Sequence, residues 1–239
     1  MFIIIIQARM GSTRLPGKIM KKILGKEIIL WSYDRSVKSI ADDIYIATSI
    51  NKENDILENF FIDKNIKYFR GSENDLLDRY YKLCLHNNLN KDDVNIIRIT
   101  SDCPFVDTDI INDMINFYKE NNYDYIINHS KEGITPEGSG IEIINFKSLE
   151  YLWKNSNDPN FREHTTGLLS KTTLFDNAIK KGVFIYTKDD INKELVGNEK
   201  VSIDTISDYN KAIKIAEQFN NFDFSYHQVL KYLESTKTI

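Results

Sequence analysis

Two hydrophobic rhythms alternate along the chain. Short continuous apolar runs at residues 2–6, 44–47, 94–99, 125–127 and 183–186 are rich in β-branched side chains. Such runs predict strands buried on both faces, as a parallel sheet requires. Between them, residues 27–40, 53–64, 75–88 and 108–120 carry apolar side chains at three- and four-residue spacing, which predicts amphipathic helices. Asp107 or Thr108 is a good N-cap for the helix bearing Ile110, Ile111, Met114 and Ile115. The β-α alternation over residues 2–128 predicts an α/β fold: an open, mostly parallel sheet with helices on both faces.

After residue 128 the rhythm breaks. Residues 129–140 are rich in glycine and charge and include a proline, then GIEIINF reads as a strand leading into helices at 147–155 and 161–171. Residues 201–203 read as a further buried strand, with 207–219 as its helix, so the sheet is expected to resume there. The whole chain is therefore expected to be one domain over residues 1–239, with an insertion or dimer arm around 128–190.

Composition narrows the function. Hydrophobic residues make up 41% of the 239, the level of an ordinary globular protein. A net charge of −4 lacks the broad positive field of a nucleic-acid binder, so any anion must be gripped locally. The two cysteines, Cys84 and Cys103, have no partners at metal-ligand spacing and predict neither a disulfide framework nor a zinc site. A reducing, cytoplasmic setting follows as an expectation. The first apolar run is too short for a membrane span and has neither a basic segment before it nor a small-residue cleavage pattern after it.

Ligands of open α/β sheets sit beyond the C-terminal ends of the strands. The first such place is QARMGSTRLPGK, where Gly11 and Gly17 permit close backbone approach, Ser12 and Thr13 offer hydroxyls, and Arg9, Arg14 and Lys18 offer cationic donors suited to phosphate. It is not a Walker A loop: five residues separate its glycines, and Ile19 follows the lysine. The dinucleotide fingerprint is also absent. The second place is NIIRITSDCPFVD, where a buried strand delivers Asp102 before the turn at Pro104. The third, VSIDTISDY, repeats the arrangement at Asp204. One strand-end aspartate is as commonly a helix cap, but two beside a cationic glycine loop suggest a metal shared between carboxylates and a polyphosphate. Cys103 reads as a packing residue. Asp75 and Arg79, four apart, read as a surface ion pair, and FREHTTGLL brings Arg162, Glu163 and His164 together.

These segments resemble the cytidylyltransferase family of the spore-coat polysaccharide biosynthesis type and, more distantly, the CMP-KDO and CMP-sialic acid synthetases. The resemblance rests on IIQARMGSTRLPGK, FRGSENDLLDRYY, RITSDCPFVD, FREHTT and SIDTISDY, in that order. It implies a nucleotide-diphospho-sugar transferase-like, Rossmann-like fold and transfer of CMP from CTP with release of pyrophosphate, for a surface glycan. It further implies a nucleotide site of Gln7, Ala8, Arg9, Gly11, Ser12, Arg14, Lys18, Thr48, Arg70, Gly71, Ser72, Asp75 and Ser101, with Arg14, Lys18 and Asp102 as catalytic residues. Asp102 and Asp204 would hold Mg²⁺, and Glu137, Glu142, Arg162 and His164 would meet a small anionic acceptor, either a 2-keto sugar acid or a phosphorylated molecule. A homodimer is implied as well. The chain departs from the family at Ile206 and Ser207, where relatives have Pro-Glu, at Gly140, where they have an acidic residue, and at Thr165, Thr166 and Gly167, where they often have Val-Thr-Pro. A glycosyltransferase would carry Asp-x-Asp after the central strand, whereas Asp102 is followed by Cys-Pro; a non-catalytic nucleotide-binding module would bind CTP without turnover.

Overall fold

The computed structural model describes residues 1–128, 134–219 and 221–237. The first apolar run forms strand β1 (Phe2–Gln7). A loop follows, closed by a 3₁₀ turn over Lys18–Met20, and then a small ribbon of β2 (Lys22–Ile23) and β3 (Lys26–Glu27). Next come α1 (Ile28–Val37), β4 (Asp43–Ser49), α2 (Asp55–Asp63), β5 (Tyr68–Gly71), α3 (Leu76–His86), β6 (Asn95–Thr100), α4 (Thr108–Glu120) and β7 (Tyr125–Ile127). The chain continues with β8 (Glu142–Asn145), α5 (Phe146–Asn155), α6 (Pro159–His164), a 3₁₀ stretch over Thr165–Lys171, β9 (Lys181–Val183), α7 (Lys193–Val196), α8 (Ile206–Glu217) and α9 (Tyr226–Ser235).

Seven strands form one sheet in the order β5-β4-β1-β6-β8-β7-β9. β1 pairs in parallel with β4 and β6, β5 extends β4 in parallel, and β9 pairs in parallel with β7. Only β8 runs against its neighbours β6 and β7. Ile3, Ile4, Ile5 and Ile6 of β1 are wholly buried because both faces are covered. Ile4 and Ile6 face the cluster built with α1, α2, α4, α8 and α9, and Ile3 and Ile5 face the one built with α3, α5 and α6.

The expected elements through residue 127 are present, and Asp107 caps α4 by accepting from the Asp109 and Ile110 amides. Three later expectations change. The helix read over 161–171 is α6, a six-residue helix that ends where Thr165 takes a positive φ of 52°, followed by the 3₁₀ stretch. The strand read at 183–186 begins at Lys181 and ends at Val183, because β7 offers only three partners. Residues 201–203 join no ladder: Val201 and Ser202 donate to the Glu137 carbonyl and Ile203 donates to the Asp102 carbonyl at 2.9 Å. The sheet therefore does not resume there, and this segment lies across the end of β6. Residues 129–133 of the stretch read as irregular lie outside the described residues. Among the described residues no helix is long and apolar enough to cross a membrane.

Candidate active site

The loop after β1 has an apolar underside and a cationic top. Leu15 and Ile19 are buried in the core, which leaves Arg14 and Lys18, one position before each, to project from it. The Met10 amide donates to Asn54 Oδ1 at 2.8 Å, tying the loop to the start of α2. Gly17, with φ +65°, makes the left-handed step that opens the 3₁₀ turn beginning at Lys18.

Three distant segments meet at the Lys18 ammonium. Its Nζ donates to Asp102 Oδ2 at 2.6 Å, to Asp204 Oδ1 at 2.9 Å and to the Ile203 carbonyl at 2.8 Å. The Ile203 amide bond to the Asp102 carbonyl locks the two aspartate-bearing loops side by side. Burial by itself would lower the lysine's pKa, but the carboxylates of Asp102 and Asp204 outweigh it and the net shift is upward. Burial likewise acts to raise the Asp204 pKa, yet hydrogen bonds and charge from Lys200 and Lys18 bring it down to about 2. Lys200 Nζ lies 2.8 Å from Asp204 Oδ2 and 3.2 Å from Asp208 Oδ2. Arg14 reaches Asp204 Oδ1 at 3.0 Å from a largely exposed position.

A cleft of about 340 Å³ opens above this cluster. It brings together Gln7, Ala8, Arg9, Gly11, Ser12, Arg14, Lys18, Ser101, Asp102, His164 and Asp204 of the residues expected from sequence. Arg9 lies across from α3 and α6, with its guanidinium 3.1 Å from Glu73 Oε1 and 3.9 Å from Glu163 Oε1. Each cation of the loop thus faces a carboxylate.

The other expected residues do not line the cleft. Thr48 is buried within β4, in register with Arg70 of β5. The Arg70 guanidinium is engaged with the Ser49 carbonyl at 3.0 Å, Asp55 at 2.7 Å and Glu58. Gly71 packs against the Arg79 side chain, and the Ser72 carbonyl accepts from Arg79 Nε at 2.7 Å. Asp75 caps α3 and takes Arg162 Nε at 2.7 Å, so its ion-pair partner is Arg162 in place of Arg79. Arg162 also donates to the carbonyls of Trp153 and Ser156, which pins α6 to α5. Glu142 is buried against Arg98 at 2.5 Å, and Glu137 is exposed, 3.8 Å from Lys200.

Glu73, Thr100 and Lys200 drew no expectation from the sequence, and Arg79 and Glu163 were noted there without a site role, yet the first two, Arg79 and Glu163 line the cleft and Lys200 holds Asp204. Glu73 sits inside the segment FRGSENDLLDRYY, and a lysine four residues before Asp204 was a visible charge signal. Arg79 was masked by its spacing from Asp75. Cys103 contacts Thr100 Oγ1 at 2.8 Å, and burial drives its thiol pKa upward, as befits a packing residue.

Among the described residues no group of three or more His, Cys, Asp or Glu side chains is arranged to hold a metal. The pair Asp102 and Asp204 nevertheless presents carboxylate oxygens to one point, at present filled by the Lys18 ammonium. An oxygen-only donor pair converging on positive charge suits a hard divalent cation.

A mostly parallel sheet with a cationic loop after its first strand and two acidic loops closing on it defines a nucleotidyltransferase of the nucleotide-diphospho-sugar transferase fold. The family model described as cytidylyltransferase matches residues 3–237. The chain belongs to that family and is a CTP-dependent nucleotidyltransferase. It is 37% identical over 171 residues to the spore coat polysaccharide biosynthesis protein SpsF of Bacillus subtilis, covering 68% of this chain and 67% of that protein. A solved cytidylyltransferase from Leptospira borgpetersenii superposes with a TM-score of 0.85 at 28% identity, over 99% of this chain and 95% of the other. A CMP:2-keto-3-deoxy-manno-octonic acid synthetase complexed with CTP shares the fold, with a TM-score of 0.65 at 16% identity over 91% of this chain and 98% of the other.

Proposed function

We propose that the protein transfers CMP from CTP to a small anionic acceptor, a 2-keto sugar acid or a phosphorylated molecule, with Mg²⁺ as cofactor and pyrophosphate as leaving group. The product is an activated precursor for a surface glycan, made in the cytoplasm by a homodimer to which residues around 128–190 contribute. The observation that carries this reading is the convergence of Lys18 on Asp102 and Asp204 beneath an arginine-lined cleft.

The residues divide the work by charge. Arg9, Arg14 and Lys18 now face Glu73, Asp204 and Asp102, so the cleft holds its cations ready without leaving them unpaired. Phosphate oxygens entering between them gain donors already in place, at no cost of reorganisation during reaction. An acceptor oxygen attacks the α-phosphorus in line, and Lys18 with Arg14 neutralises the charge that grows on the departing pyrophosphate. Held by Asp102 and Asp204, Mg²⁺ would supply charge neutralisation and polarisation of the α-phosphate. His164, the last residue of α6, lines the same cleft, and this supports assigning it to the acceptor.

The test is a pyrophosphate-release screen with CTP and the other nucleoside triphosphates against keto-sugar acids and phosphorylated sugars, polyols and amino compounds. Release with CTP and one acceptor, abolished by EDTA and restored by Mg²⁺, is expected. Release of a free nucleoside diphosphate from a nucleotide-sugar would overturn the reading.

A further inference from the structure

Beneath the cleft lies a buried polar chain that leaves one group unspent. Arg98 on β6 is held by Glu142 at 2.5 Å, and its Nε lies 3.1 Å from the side-chain oxygen of Gln7. An arginine Nε–H can only donate, so the amide atom it meets must be Oε1. The Tyr80 hydroxyl also approaches Oε1, at 3.4 Å. The orientation of the Gln7 amide is therefore set from below. Its Nε2 has no partner among the described residues, and Gln7 lines the cleft. What this position offers a ligand is hydrogen-bond donors and no acceptor.

A second position in the same cleft offers the opposite. Glu73 follows β5 in the loop before α3, and the Arg79 side chain holds that loop by donating to the carbonyls of Ser72 and Glu73. One carboxylate oxygen of Glu73 meets Arg9, while the other, Oε2, is buried without any hydrogen-bond partner. A buried polar atom left unpaired is costly and uncommon, and a donor brought by a ligand would relieve it. Ala8 and Leu76 supply apolar surface to the same cleft. Arg14, Lys18, Asp102 and Asp204 make the phosphate-suited end, with Arg9 at its border holding only Oε1 of Glu73, so the base of the nucleotide falls to the remaining end, where Glu73 Oε2 is still unpaired.

We infer that Gln7 and Glu73 together read the base, with the Gln7 amide donating to the ring nitrogen or carbonyl of cytosine and the Glu73 carboxylate accepting from its exocyclic amine. Cytosine presents one amino donor beside two acceptors. Uracil replaces the amine with a carbonyl, which would set a lone pair against the Glu73 carboxylate. Selection for CTP over UTP thus comes from Glu73, while Gln7 strengthens base binding. This rests on the cleft being the nucleotide site proposed above.

Calorimetric titration with CTP, UTP and inorganic tripolyphosphate in magnesium chloride tests it, on the wild type, Gln7→Glu and Glu73→Gln. The glutamate variant keeps an oxygen for Arg98 and Tyr80, so a purely structural role survives the change, but it removes the donor. It is expected to lose about tenfold more affinity for CTP than for tripolyphosphate, which senses the added charge but makes no base contact, this excess being the worth of one hydrogen bond, with the melting temperature unchanged. Glu73→Gln is expected to shrink the preference for CTP over UTP by about tenfold. Wild-type CTP affinity in Gln7→Glu, or an equal loss for tripolyphosphate, would overturn the role of Gln7. An unchanged CTP preference in Glu73→Gln would overturn that of Glu73. If the wild type binds neither CTP nor tripolyphosphate, the nucleotide site itself is misplaced and the inference falls with it.

Discussion

The Lys18 ammonium lies 2.6 Å from Oδ2 of Asp102, a residue 84 positions further along the chain. Both side chains line the floor of a polar cleft and belong to neither hydrophobic cluster, so their removal is expected to strike chemistry before it strikes folding. Lys18→Ala and Asp102→Asn are each expected to lower turnover by roughly 10²-fold, the loss that follows when about 3 kcal/mol of transition-state stabilisation is removed. Steady-state pyrophosphate release, with circular dichroism to confirm the fold, checks this. Near-normal release by either variant would remove the substituted residue from the mechanism.

Asp204 predicts an acid-sensitive component of stability. Its carboxyl titrates at about 2 in the folded protein against an ordinary value of 3.8, because the hydrogen bonds and charges of Lys200 and Lys18 overcome the opposing effect of burial. A depressed folded-state pKa means that the folded form binds its proton less readily than the unfolded chain does. The stability Asp204 contributes is therefore complete above pH 3.8 and is lost as pH falls toward 2. Melting curves across that window should fall less steeply for Asp204→Asn than for the wild type; parallel curves would refute the linkage.

Arg162 is expected to act on stability. Its guanidinium serves Asp75 and the carbonyls of Trp153 and Ser156 at once. Arg162→Ala leaves those acceptors without their donor and should destabilise by about 1–3 kcal/mol. Arg162→Lys should rescue little, since a single ammonium cannot reproduce the planar fork. Urea denaturation separates these outcomes, and full rescue by lysine would show that charge alone matters.

The Arg98–Glu142 pair predicts a larger effect. Glu142 has only 6% of its side chain exposed, and it also accepts from the Tyr125 hydroxyl at 3.2 Å. Truncation in Glu142→Ala would strand the Arg98 charge in the interior, at a cost of about 3–5 kcal/mol. Chemical denaturation measures it. A loss below about 1 kcal/mol, the range of an exposed pair, would mean that water reaches Arg98.

Strands and helices through residue 127 were legible because burial on two faces writes an unbroken apolar run, and burial on one face writes a three-to-four spacing. Beyond that point local pattern misled. The run at 201–203 is as apolar as a strand, yet its amides bond to the carbonyls of Glu137 and Asp102, a pairing no local pattern encodes. Among the site residues, those of the first loop were recognisable from their density of charge and glycine. Arg70, Asp75, Arg162 and Glu142 lie in equally suggestive segments, but whether a charged side chain faces a ligand or a neighbouring element depends on which partner the fold supplies. For these four the partners are Asp55 and Glu58, Arg162, Asp75, and Arg98.

By itself the sequence determined the sheet-and-helix alternation, the cationic loop after the first strand and the aspartates at two later turns, because each is set by residues close together in the chain. Tertiary structure alone decided that Lys18, Asp102 and Asp204 share one point and that the side-chain oxygen of Gln7 is taken by Arg98. Those facts rest on contacts between segments tens to nearly two hundred residues apart. The direction of a polar side chain is settled by the donors and acceptors that packing brings to it, and these are written nowhere near it in the chain.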